Sequence, residues 1–318
     1  MSDTYWQDPP FSLGFNLTHG CNFRCPFCGI NAIDVSKMEY MDLRIVEHTC
    51  EMIKEDGWNC RIGLGTHGEP SLHPDLLKVI DIIRTILPKH HISMISNGAG
   101  IIRRSLSYID EIMTAGVNVL MLDDYGHSDL VRRIKGGYTG HNQLYYYPTD
   151  QQANPHKRRK VTEHHIVIVE SIDIAKKGNH SRINNRAGCA YEGIPNIKEG
   201  RRCANPFRDF TVRYNGNVPI CCVDFRGVIK CGNVLDVNSL EEIWNGEVFS
   251  AIRRFMYHGM RSKVHPCRIC DAVGYRLGFL PDKKGLMYLP EPNELDVKAI
   301  AKGTVNGPCV KIKKLPWE

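Results

Sequence analysis

Apolar, strand-like runs alternate with amphipathic helices through the first two thirds of the chain, and this alternation constrains the fold more than any other feature. Phe11 to Leu17 reads as a strand, and Asp42 to Glu55 as a helix in which Leu43, Val46, Met52 and Ile53 are interleaved with charges. Further strands are expected at Arg61–Gly65, His91–Ser96, Val117–Leu122 and His165–Val169, with helices at Pro74–Leu87 and Leu106–Ala115 between them. Strands separated by helices imply a parallel sheet covered by those helices, because neighbouring parallel strands need long crossover connections. About six such units fit before residue 200, too few for a closed eight-fold barrel. The expected fold is therefore α/β, a partial (βα)6 TIM-like barrel.

In barrels of this kind chemistry sits on loops at the C-terminal ends of the strands. Three polar segments fall at that edge: the cysteine loop Gly20–Cys28, His67-Gly68-Glu69-Pro70, and Ser96-Asn97-Gly98. The stretch 126–160 reads as irregular and holds Tyr145-Tyr146-Tyr147 and the basic run His156–Lys160, a solvated loop or an anion contact. From about residue 198 the pattern changes. Phe210–Tyr214 and Asn217–Val223 read as a hairpin about Asn215-Gly216. Ser239 and Glu242 form a capping box that opens a helix expected to run to about Tyr257. The tail after Arg276 is rich in proline. The expected domains are 1–197, 198–275 and a C-terminal extension, 276–318.

The first of the three loops carries Cys21, Cys25 and Cys28 in the spacing C-x3-C-x2-C. The whole chain has 13 cysteines in 318 residues. Its N-terminus has no basic stretch followed by an apolar one, and no run of about 18 apolar residues suits a membrane span. A cysteine-rich chain without these export features points to metal binding rather than disulfides, and to the cytoplasm. The net charge of +6 permits an anionic substrate or nucleic acid without favouring either.

Thiolate softness selects iron–sulfur clusters or zinc over hard cations. Three thiolates leave a four-metal cluster one ligand short, so a second molecule can bind there. Structural zinc is the competing reading, with His19 available as a fourth ligand. A second group, Cys203, Cys221, Cys267 and Cys270, supplies four thiolates, which suits either a closed cluster or zinc. Cys222 is the poorer ligand of its pair because adjacent strand residues face opposite ways. Cys231 reads as a small buried residue, with a hydrogen-donating thiol or an alternative ligand as the other readings.

The C-x3-C-x2-C loop, with Phe27 before its last cysteine, resembles that of the radical S-adenosylmethionine (radical SAM) enzymes. The resemblance implies that Cys21, Cys25 and Cys28 hold a 4Fe–4S cluster whose open iron takes SAM, and that cleavage of SAM gives a 5′-deoxyadenosyl radical. Gly68-Glu69-Pro70 resembles the family's G-G-E-P loop, with His67 in place of the first glycine; Glu69 would accept hydrogen bonds from the SAM ammonium. Ser96-Asn97-Gly98 resembles the T-N-G segment, which implies that Ser96 and Asn97 lie near the SAM carboxylate or ribose and Phe27 beside adenine.

The run from Cys203 through Cys221-Cys222-Val223-Asp224 to Trp244 resembles the SPASM/twitch extension of that family. This implies a small α+β twitch domain with an auxiliary 4Fe–4S cluster on Cys203, Cys221, Cys267 and Cys270. Asn184-Asn185-Arg186-Ala187-Gly188 resembles a stretch of the same proteins, with Arg186 as a contact to SAM or substrate. The reaction implied is hydrogen abstraction from a small polar substrate, sugar- or aminocyclitol-like, ending in dehydrogenation or epimerisation. Asp123, Asp124, Tyr125 and His127 stand at a strand end where they could hold substrate or move a proton, and Cys231 is the candidate thiol. An electron donor such as flavodoxin or ferredoxin is implied as partner. The alternatives are radical modification of a peptide, nucleotide or nucleic acid, and a non-enzymatic zinc protein. Only 20 residues precede the cysteine motif, which leaves no room for a leader-binding domain there and disfavours leader-dependent peptides.

Overall fold

The computed structural model describes residues 8–25, 27–125, 129–148, 164–170, 185–190, 200, 202–272 and 289–305. Strand β1 (Ser12–Phe15) leads to the cysteine loop, which is flanked by the short antiparallel pair β2 (Thr18–His19) and β3 (Glu39–Tyr40). Next come α1 (Leu43–Glu55), β4 (Arg61–Leu64), α2 (Leu76–Ile86), β5 (Ile92–Ser96), α3 (Ala99–Arg104), α4 (Tyr108–Ala115) and β6 (Val119–Asp123). The chain continues through α5 (Leu130–Gly137), β7 (Leu144–Pro148) and β8 (His165–Glu170). The C-terminal third holds β9 (Asp209–Val212), β10 (Asn217–Pro219), β11 (Lys230–Asn233), α6 (Leu240–Trp244), α7 (Glu247–Tyr257) and α8 (Glu294–Gly303).

Seven strands form one sheet in the order β7-β8-β6-β5-β4-β1-β9, every neighbouring pair parallel. Helices cover it as the alternation requires. Asp42 caps α1 by accepting from the Arg44 amide, and α1 turns Ile45, Val46, Cys50, Met52 and Ile53 inward. α2 buries Leu76, Val79, Ile80 and Ile83 against the same core. At the far end of the sheet the Trp244 ring packs edge-on or tilted at 6.2 Å from Trp58, 6.0 Å from Phe210 and 5.1 Å from Phe249. This aromatic cluster ties α6 and α7 to the barrel.

Several expectations are corrected. The hairpin does not form as a ladder. β9 instead joins the main sheet beside β1, with Ser12–Phe15 opposite Asp209–Val212, and β10 pairs antiparallel with β11. The reason is burial: Phe210, Thr211 and Val212 are all covered, which a seat in the main sheet provides and a two-stranded ribbon does not. The Asn215-Gly216 turn is kept, bridged by the Arg213 amide donating to Asn217 O at 2.8 Å.

The stretch expected to be irregular contains α5 and β7, and β7 takes up Tyr145–Tyr147, aromatic residues that favour strands. β7 lies at the sheet edge outside β8, so the last two barrel strands are not in sequence order. The helix after Ser239 has its capping box but stops at Trp244 and restarts at Glu247. The basic run 156–160, His127 and Cys309 lie outside the described residues, as does much of the proline-rich tail after Arg276, whose described part, 289–305, carries Pro290, Pro292 and α8. No helix among the described residues is long and apolar enough to cross a membrane.

Candidate active site

A cavity of about 300 Å³ opens at the C-terminal ends of β1, β4, β5 and β6. Cys21, Cys25 and Cys28 line it, together with Phe27, Gly68, Glu69, Ser96, Asn97, Asp123, Tyr125 and Arg186. All three polar loops expected at this rim therefore converge on one space, as strand ends of a parallel sheet must.

Two close approaches build it. The Gly68 backbone packs so tightly on the cysteine loop that a Cβ there would lie 1.9 Å from Thr18 O and 2.7 Å from Gly20 O. The Glu69 amide donates to Gly20 O at 3.1 Å, which locks the two loops together. Gly98, at φ +74°, turns the chain from β5 into α3.

Glu69 is fully buried and its carboxylate is the hub of the site. Its Oε1 accepts from Ser71 N (2.9 Å), Ser71 Oγ (2.5 Å) and Ser96 Oγ (2.6 Å). Its Oε2 accepts from Asn97 N at 2.7 Å. Burial pushes the Glu69 carboxyl up from its usual range, and these four donors oppose the shift by favouring the anion. Oε1 is saturated, whereas Oε2 keeps capacity for another donor. Ser96 is therefore engaged with Glu69, and its Oγ also accepts from Gly98 N at 2.9 Å. Asn97 Nδ2 reaches Cys21 Sγ at 3.4 Å, linking the β5 loop to the first thiol.

Burial raises the thiols, Cys21 to about 11 and Cys25 to about 12, and for Cys25 the neighbouring Cys28 and Cys21 add to the rise. Opposite them, Tyr125 Oη donates to Asp123 Oδ2 at 2.8 Å, and the Tyr125 ring lies 5.3 Å from Phe27. Burial pushes Asp123 up to about 6, against the Tyr125 hydrogen bond and with a smaller contribution from the Glu69 charge. Asp124 does not line the cavity, although its amide extends the ladder to Val169 O at 2.9 Å.

The auxiliary region closes the cavity from the other side. Arg186 and Ala187 adopt left-handed backbone at φ +50° and +54°, a strained state for residues with side chains. Asn185 holds this loop in place: its amide donates to Asp271 Oδ1 (2.6 Å), its Nδ2 to Ile269 O (2.6 Å), and its Oδ1 accepts from Asp271 N (3.2 Å). The loop carrying Arg186 is thus fastened to the segment carrying Cys267 and Cys270. Phe225, on the loop after Cys221, also lines the cavity and stacks 4.4 Å from His67. His67, neutral because burial lowers it to about 3, meets Cys222 O at 2.6 Å. Phe225 and Ser71 carried no signal in the sequence beyond their place near the motifs.

Burial raises the thiols of Cys221, Cys267 and Cys270, and the charge of Cys203 adds to each rise, which places the four together. Cys222 feels Asp209 and Arg186 as well as Cys203, and it stands in the turn after β10 rather than in a strand, so the alternation expected to separate it from Cys221 does not apply there. Cys231 is on β11 beside the buried Arg253 and does not line the cavity. Eleven cysteines among the described residues are free thiols, and Cys189 is disulfide-bonded, a departure from the expectation of metal binding rather than disulfides.

Residues 15–144 match the family model of the radical SAM superfamily, and residues 203–271 that of the SPASM iron–sulfur cluster-binding domain. The chain is a radical SAM enzyme. Over 254 residues, covering 80% of this chain and 89% of the relative, it is 22% identical to the S-adenosyl-L-methionine-dependent 2-deoxy-scyllo-inosamine dehydrogenase of Niallia circulans. A shorter match, 34% over 98 residues, covers 31% of this chain and 28% of the probable GTP 3′,8-cyclase of Thermoplasma volcanium. The fold resembles the crystal structure of BtrN in complex with AdoMet and 2-DOIA, with a TM-score of 0.64 at 19% identity over 84% of this chain and 95% of that one.

The cofactors of a radical SAM enzyme fit the residues present. Three thiols on one loop, beside a buried carboxylate with an acceptor position to spare, suit a cluster that needs SAM as its remaining ligand. The second set of four thiols has its full complement. Among the described residues, no three His, Cys, Asp or Glu side chains are close enough to hold a single ion. The non-enzymatic zinc reading gives way to the family assignment.

Proposed function

We propose that this enzyme removes a hydrogen atom from a hydroxyl-bearing carbon of a small aminocyclitol- or sugar-like substrate and oxidises that carbon to a ketone. With their cofactors bound, the two cysteine sets would supply a hydrogen-atom acceptor and a sink for one electron. Cys21, Cys25 and Cys28 would hold the first cluster, and Cys203, Cys221, Cys267 and Cys270 the second. Glu69 Oε2 would take the SAM ammonium, with Asn97 beside it and Phe27 against the adenine. Asp123, an anion above about pH 6, would accept the substrate hydroxyl proton while Tyr125 orients it. Arg186, held rigidly by Asn185, would hold substrate or SAM from the auxiliary side.

One observation favours oxidation over epimerisation. Among the described residues, the only cysteines lining the cavity are the three proposed cluster ligands, so no further thiol is there to return a hydrogen. The 22% identity to a 2-deoxy-scyllo-inosamine dehydrogenase supports the substrate class, and the cavity volume, at the small end for ligand sites, suits a metabolite better than a polymer. A low-potential protein such as flavodoxin or ferredoxin would deliver the electrons, and eleven free thiols suit a cytoplasmic setting, although the disulfide at Cys189 does not add to that reading.

The test uses an aminocyclitol deuterated at the carbinol carbon, supplied anaerobically with SAM and reductant. Deuterium should enter 5′-deoxyadenosine and a ketone should form. Cys267→Ala should still cleave SAM but give little ketone. An epimerised alcohol as product, or no deuterium transfer, would refute the reading.

A further inference from the structure

A second cavity, of about 500 Å³, lies outside the barrel mouth where the segments flanking the two cysteine groups meet. One wall is His19 and Ala32–Asp34, from either side of the Cys21–Cys28 loop. The other is Arg213–Asn215, Asn217–Pro219, Arg226, Gly227, Ile229 and Lys230, which surround Cys221 and Cys222 in sequence. Val305 closes the rim. None of these residues lines the first cavity.

Its charge is lopsided. Arg213, Arg226 and Lys230 face it, and Asp34 is the only carboxylate among the described residues that line it. Arg213 is more than nine-tenths buried. One of its nitrogens donates to Phe225 O at 3.0 Å. Among the described residues it forms no salt bridge, and its remaining guanidinium nitrogens have no protein acceptor there, although none is sealed from the cavity as a buried orphan. A buried guanidinium without an anion is costly, and its low exposure already pulls its pKa down, with Asp224 only partly countering that. Among the described residues Lys230 also lacks a carboxylate partner. Behind them the rings of His19 and Tyr214 stack at 4.5 Å, giving the cavity a rigid floor, and His19 Nδ1 is a buried acceptor without a donor.

From this arrangement we infer that the seam between the two cluster loops is a binding site for a small multivalent anion, a phosphate- or polycarboxylate-bearing metabolite. The planar fork of Arg213 would take two of its oxygens in a bidentate contact, with Lys230 and Arg226 completing the charge. A 500 Å³ recess with its central cation buried suits a small molecule that enters it rather than a flat protein surface. Because both walls belong to segments next to cluster ligands, an occupant would fix the cysteine loop against the auxiliary loop.

The probes are inorganic phosphate and citrate, titrated calorimetrically into the cluster-loaded enzyme at low and moderate ionic strength. Saturable binding of one or both is expected, weakening as salt rises. Preference between the two probes identifies the phosphate or the carboxylate source. Lys230→Gln and Arg226→Gln should each weaken binding roughly tenfold, as loss of one charge-assisted contact does, while SAM binding stays unchanged. Arg213→Met should abolish it; if that variant fails to hold its clusters, the two surface variants decide alone. No saturable binding of either anion, or wild-type affinity in both Lys230→Gln and Arg226→Gln, would overturn the proposal.

Discussion

Glu69→Gln isolates the carboxylate at the centre of the site. The amide has nearly the same shape, so the packing around it is preserved. Its oxygen can take the place of Oε1 and keep the bonds from Ser71 N, Ser71 Oγ and Ser96 Oγ. Its NH2 must then face the Asn97 amide, a donor against a donor at a position now bridged in 2.7 Å. Losing that bond in a buried site costs about 1–3 kcal/mol of stability. The same NH2 also replaces the acceptor that would receive the SAM ammonium, and a hydrogen bond to a charged group is worth roughly 1.5–3 kcal/mol. At about 1.4 kcal/mol per tenfold, SAM affinity should fall about 10- to 100-fold. The alternative flip, with NH2 toward the serines, sacrifices up to three bonds and should be disfavoured. The assay is equilibrium binding of SAM to anaerobic, cluster-loaded protein, with iron content measured in parallel. Iron at wild-type level with weakened SAM binding is the expected result. SAM affinity within twofold of wild type would refute the assignment of Oε2 as the open acceptor.

Other expectations test the site from different directions. Gly68→Ala places a methyl 1.9 Å from Thr18 O, against backbone that cannot rotate away, so it should lower the thermal midpoint and reduce SAM binding together. Asp123→Asn should leave SAM binding and iron content intact while removing most ketone formation. In the wild type, ketone formation should rise as pH increases through about 6, since the raised Asp123 must lose its proton to act as a base; a rate that instead declines across that range would exclude it. A bound sulfonium beside it would move this midpoint lower. Asn185→Ala removes the two side-chain hydrogen bonds that hold the strained Arg186 loop to Ile269 and Asp271, while its backbone amide keeps the bond to Asp271 Oδ1. Product yield per SAM cleaved should fall; an unchanged ratio would show that the loop needs no such anchor.

What the sequence determined by itself was local. Strand–helix alternation implied parallel pairing because the crossover helices leave no other connection. The thiol spacing identified the first donor set, and parallel strands bring their C-terminal loops to one rim, so Cys21, Glu69 and Ser96 were readable as neighbours. Where the sequence fell short, non-local competition decided. Asp209–Val212 carried the alternation of a hairpin arm, yet β1 offered it burial on both faces and won the strand. The partners of Glu69, the stacking of His67 on Phe225, and the anchoring of Arg186 through Asn185 join residues far apart in sequence. No periodicity encodes such pairings. They exist only because the tertiary fold buries polar groups that must then find partners, and it brings the auxiliary loop to the barrel mouth as the nearest source of them.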